Sequence, residues 1–145
     1  MMWNTVHGEE RLLLWKKLRI DLKSMTLDKQ IEEVAKFCAS IPFGSRSLDY
    51  YSPTDWPTPW EILFYGSFCT SSISLLIFYT LSMIPISAKI DLYLVEDDND
   101  VYLLPVINDQ FVLNYELGSV SNWPESCPGL TILKIYPQHQ IKTIN

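Results

Sequence analysis

Apolar residues recur along the first forty positions with the period of an α-helix. Leu14, Trp15, Leu18 and Leu22 share one face of a helix predicted over residues 9–24. Glu9 and Glu10 fall in its first turn, where carboxylates favour the positive end of the helix dipole. With Thr26 as N-cap, Ile31, Val34, Ala35 and Cys38 sit at i, i+3, i+4 and i+7. A second amphipathic helix follows, ending at Ile41 because the residue before Pro42 is pushed out of the helical region. The stretch 42–59 changes to Gly, Ser, Pro, Asp and aromatics, the pattern of a loop ordered by Tyr50, Tyr51 and Trp56. Thr58-Pro59-Trp60-Glu61 then has the form of a capping box with proline at the first helical position, so a short helix should open at Pro59.

Residues 62–88 carry no charge, long enough for the roughly 20 residues of a membrane span. Gly66 interrupts the run, and seven serines and threonines dot it before Pro85. The expected arrangement is therefore two pieces broken near Gly66, the second a helix from about Cys69 to Met83 buried on most sides; a small membrane protein spanning residues 62–88 is the alternative. Beyond Pro85 the period shortens. Strands are predicted over 89–95, 101–107 and 110–115, with Glu96 to Asp100 as one turn and Asn108-Asp109 as the next, then a loop over 119–129 and a fourth strand over 130–135. The fold class read from this order is α+β: N-terminal helices and a buried central helix on a small antiparallel sheet.

At 145 residues with 48% apolar and 13% aromatic content, the chain is expected to form one domain, residues 1–145. It divides into a helical part over 1–48, a helix-and-sheet core over 49–136 and a tail over 137–145. A net charge of −6 without a basic cluster argues against nucleic-acid or anionic-membrane partners. Cys38, Cys69 and Cys127 are an odd number at wide spacing, which indicates neither a disulfide framework nor a zinc site and fits a reducing cytoplasm. The acidic run Glu96 to Asp100 lacks the glycine and distal glutamate of an EF-hand loop and reads as a solvated turn. No cofactor or metal motif is present.

Cys69 is the candidate for chemistry, because a thiol at a helix start is favoured by the dipole and by free backbone N–H groups that could also hold an oxyanion. Trp56, Trp60, Tyr50 and Tyr51 are the candidate binding aromatics. The order Trp56-Pro57-Thr58-Pro59-Trp60-Glu61-Ile62-Leu63, then Gly66-Ser67-Phe68-Cys69 before a buried helix, then Phe111-Val112-Leu113-Asn114, resembles the transglutaminase-like branch of the papain-like cysteine enzymes. Members read W-x-T-P-x-E-x-L before G-x-C, then a strand opening with His and another ending V-L-D; bacterial transglutaminase-like peptidases are most similar in spacing. The resemblance covers residues 52–123.

The resemblance implies that Cys69 stands at the nucleophile, Asn114 at the orienting Asp, and Val101 at or near the general-base His. The glycine-to-cysteine spacing is one residue longer here. Asparagine can orient an imidazole, but valine takes no proton. His7 precedes the first helix and His139 lies near the C-terminus, and neither is expected to substitute. Burial beside Phe68 and Ile73, without an imidazolium, is expected to leave Cys69 inert. The chain therefore reads as a non-catalytic transglutaminase-like protein, a binding or regulatory module for a protein partner, similar in style to small proteins of tailed phages. The alternative is a Cys69-dependent amidase, peptidase or acyltransferase with an atypical base.

Overall fold

A computed structural model describes residues 7–141. The first six residues and the last four of the predicted tail lie outside the described residues. Four α-helices come first: α1 (Gly8–Leu22), α2 (Leu27–Ala39), α3 (Pro59–Tyr65) and α4 (Ser71–Ser82). Five strands follow: β1 (Ile90–Glu96), β2 (Val101–Ile107), β3 (Phe111–Leu113), β4 (Val120–Asn122) and β5 (Thr131–Pro137). The α+β class and the buried central helix are as the sequence pattern predicts.

The predicted inner face of α2 holds: Ile31, Val34, Ala35 and Cys38 are all buried. Thr26 is its N-cap by position, but its side chain makes no capping bond. On α1, Trp15 and Leu22 are buried as expected, and so is Arg11, which a hydrophobic period reads as solvent-facing. Arg11 Nε donates to Leu63 O and its terminal nitrogen to Phe64 O at 2.7 Å. Those carbonyls belong to the last turn of α3, where backbone acceptors lack intrahelical partners, so the guanidinium is drawn inward.

The uncharged segment breaks where the sequence predicts. The capping box opens α3: Glu61 N–H donates to Thr58 Oγ1 at 3.2 Å and Thr58 N–H donates to Glu61 Oε1 at 3.0 Å. Gly66 ends it with φ +61°, a left-handed backbone that glycine adopts without a Cβ penalty; a Cβ there would also meet Pro42 at 2.9 Å. Residues 67–69 are extended and bridge residues 44–46, so α4 opens at Ser71 rather than Cys69. Eleven of its twelve residues are buried, between α2 and α3 on one side and β1 and β2 on the other. Among the described residues no helix is long and apolar enough to cross a membrane.

All pairings in the sheet are antiparallel, in the order β4-β3-β2-β1-β5. Alternation along β1 and β2 sends Leu92, Leu94 and Leu103 toward the helices and Tyr93, Val95, Leu104 and Val106 to the opposite face. The segment after β3 covers that second face, with Trp123 edge-on to Tyr93 at 5.2 Å and Cys127 buried. Asn108 and Asp109, with φ of +54° and +55°, make the tight turn predicted between β2 and β3. Two strand expectations need correction. A short β4 forms inside the stretch read as loop, and β3 stops at Leu113 because Asn114 turns left-handed with φ +64°. The last predicted strand crosses to the far edge and pairs with β1 as β5, leaving Ile132, Leu133 and Ile135 exposed.

The cap gives a direct test. Thr58→Ala removes the acceptor for the Glu61 amide and should lower stability by about 1 kcal/mol without changing the fold. Urea denaturation followed by circular dichroism should show a lower midpoint; equal midpoints would show that this bond contributes nothing.

Candidate functional site

Cys69 lies two residues ahead of α4 and is half-buried, not enclosed as the sequence led us to expect. Its backbone N–H donates to Arg46 O at 2.7 Å, while Gly44 N–H donates to Phe68 O at 2.7 Å and Arg46 N–H to Ser67 O at 3.0 Å. This short ladder holds the segment extended. It also takes the Cys69 N–H out of the set of free amides expected beside the thiol, because that donor is spent on Arg46. The other two cysteines are enclosed. Burial pushes the Cys38 thiol strongly up and the Cys127 thiol up, the latter helped by Glu116.

Beside Cys69 stands Tyr50, brought in by the aromatic loop. Its hydroxyl is 3.0 Å from Ser71 Oγ. Burial pushes the Tyr50 pKa up; the Ser71 hydrogen bond opposes this, and the neighbouring Cys69 and Asp100 add to it. Ser71 Oγ also accepts from Leu103 N–H at 3.2 Å, stitching the first turn of α4 to β2. Val101 lies two residues earlier on β2 and packs on the helix side of the sheet, as Leu103 does.

Asn114 enters from the end of β3. Its Nδ2 donates to Ser74 Oγ at 2.8 Å and to Thr70 O at 3.4 Å, and Ser74 Oγ donates to Leu103 O at 2.6 Å. The amide is thus a strut between β3 and α4. Cys69, Tyr50, Val101 and Asn114 gather around the start of α4, but the histidines do not join them by any hydrogen bond among the described residues. His7 is an exposed N-cap of α1 with no capping bond, and exposed His139 follows β5 near the Asp91 end of β1. That is the end of the sheet opposite Val101, which pairs with Glu96.

The four candidate aromatics separate. Trp56 is buried edge-on to Tyr136 at 5.2 Å, with its indole N–H donating to Asp49 O at 2.7 Å. Trp60 packs edge-on to Trp15 at 6.0 Å. Tyr50 is half-buried at Ser71, and of the four Tyr51 is the most exposed. In the acidic turn, Asp97 Oδ1 accepts from the amides of Asn99 and Asp100, each at 2.8 Å. Among the described residues no group of three His, Cys, Asp or Glu side chains is placed to hold a metal ion.

Comparison with solved structures bears on this arrangement. Calcium-bound LapG of Legionella pneumophila superposes with a TM-score of 0.72 at 14% identity, over 96% of this chain and 84% of that one. The EGTA-treated form of LapG gives 0.76 at 15%, over 89% of this chain and 73% of that one. The chain shares the fold of LapG. That fold is the transglutaminase-like, papain-like one which the motifs around Cys69 resemble. No family model matches the sequence, and no curated protein does.

Sequence reasoning missed Arg46, Ser71 and Ser74. The two serines carried a signal: they stand three apart on an uncharged, mostly apolar helix, so they share one face and need partners there.

Asn114→Asp should destabilise the protein by about 1 kcal/mol. A carboxylate cannot donate to Ser74 Oγ, and a Ser74 hydroxyl turned toward it would abandon the buried Leu103 carbonyl. Unchanged or raised stability in urea would contradict the strut.

Proposed function

We propose that this chain is a non-catalytic protein of transglutaminase-like fold that works as a protein-binding or regulatory module. The observation that carries the reading is the Cys69 amide, bonded to Arg46 O at 2.7 Å. An acyl-transfer site that used it would need that donor aimed at the developing oxyanion; here it fixes local backbone instead. Two further observations support the reading. The Asn114 amide is committed to Ser74 and Thr70, and the resemblance puts the base position at or near Val101, which neither accepts nor delivers a proton. Fold and function are separable, so this architecture can serve as a binding scaffold.

The partial exposure of Cys69 at the start of α4 favours a second reading, in which the thiol acts in an amidase, peptidase or acyltransferase. One experiment separates them. Wild type and Cys69→Ala are assayed against a panel of fluorogenic peptide amides and a thioester acyl donor. The non-catalytic reading predicts equal background rates for the two proteins. Turnover that disappears with Cys69→Ala would overturn it and establish the second reading.

A further inference from the structure

A cavity of about 340 Å3 opens beside the start of α4, on the Asn114 side. Its walls come from four separate segments: Thr70 and Ser71 at the helix start, Tyr102 and Leu103 of β2, Asn114, Tyr115 and Leu117 after β3, and Asp97 and Asp100 in the β1–β2 turn. It thus combines two aromatic rings, two leucines, an amide and two carboxylates in one concave space, the mixture of apolar wall and few polar groups that ligand pockets show.

Its charge is one-sided. Residues 90–133 contain eight Asp and Glu residues and no Lys, Arg or His, whereas residues 1–48 contain eight of the chain's eleven Lys and Arg. Among the described residues neither Asp97 nor Asp100 has a cationic partner, while Lys29, Lys36 and Lys89 are each engaged with acidic residues elsewhere. Asp97 is held ionised by the backbone amides of Asn99 and Asp100, which depress its pKa. Its Oδ2 also accepts from Tyr102 at 3.3 Å.

We propose that this cavity is the docking pocket for an arginine side chain presented by a partner polypeptide. The proposal rests on the reading of the chain as a protein-binding module and names what that module recognises. Arginine fits better than lysine: its planar guanidinium offers five donors to carboxylate and amide oxygens and stacks on tyrosine rings, while its aliphatic stem covers the exposed Leu117. The excess of acidic residues across the sheet half draws a basic segment to this face and makes binding sensitive to salt.

The probe is a fluorescein-labelled heptapeptide of glycine and serine with one central arginine, compared with the same peptide carrying citrulline, which is isosteric and neutral. Binding is read by anisotropy, and the site by amide shifts in NMR spectra of labelled protein. We expect the arginine peptide to bind at least tenfold more tightly than the citrulline peptide, to weaken as salt rises, and to shift residues 97–103 and 114–117. Asp100→Asn and Asp97→Asn, each of which retains an oxygen acceptor for the turn amides, should each weaken binding several-fold. Asp109→Asn, in the β2–β3 turn, should not. Equal binding of both peptides, indifference to the Asp97 and Asp100 changes, or shifts confined to other surfaces would overturn the pocket. Cleavage of a bound arginine peptide that requires Cys69 would leave the pocket standing and overturn the non-catalytic reading instead.

Discussion

The structure depends on enclosing one helix that carries hydroxyls but no charge. Helix α4 is buried almost all round, which removes water as a partner for its polar side chains. A buried hydroxyl without a hydrogen bond costs roughly 1–3 kcal/mol. Several of these hydroxyls are met from outside the helix, whereas Ser82 Oγ at its C-terminal end is buried without a partner. Trp15 of α1 donates its indole N–H to Thr80 Oγ1 at 2.9 Å, and Thr80 in turn donates to Leu76 O at 2.7 Å. Ser71 is met by Tyr50 and the Leu103 amide, and Ser74 by the Leu103 carbonyl and Asn114. Helix, aromatic loop and sheet are fixed relative to one another by these contacts as well as by apolar packing.

The same contacts account for the character of the candidate site. An oxyanion-binding donor at this place in the fold has to face the substrate rather than the protein's own backbone. Here the Asn114 amide joins β3 to α4, and the Cys69 amide joins the extended segment to Arg46. Position in a fold and chemistry at that position are separable: likeness to LapG at 14–16% identity establishes the architecture, and the side chains decide what it does.

What could be read from the sequence was what local chemistry specifies. The capping box at Thr58, the break at Gly66 and the Asn108-Asp109 turn each depend on residues within a few positions, so their patterns are self-contained. The features that escaped depend on distant partners. Arg11 turns inward for carbonyls more than fifty residues away, and α4 starts late because residues 67–69 pair with 44–46. Strand β5 crosses to the far edge of β1, a choice its own alternation does not encode. At the site, motif spacing brought Cys69 and Asn114 to the same helix start, and Trp56 was foreseen as a loop anchor. The use of Asn114 as a strut was not legible, because it requires knowing that Ser74 faces the sheet.

The central claim is that polar groups at the start of α4 are committed to holding the fold. A double-mutant cycle on Ser74→Ala and Asn114→Ala, read as unfolding free energies in urea, measures that commitment directly. The account predicts a coupling of about 0.5–3 kcal/mol, the range for residues in one hydrogen-bond network. Two changes that add to within about 0.3 kcal/mol, as for independent sites, would contradict it.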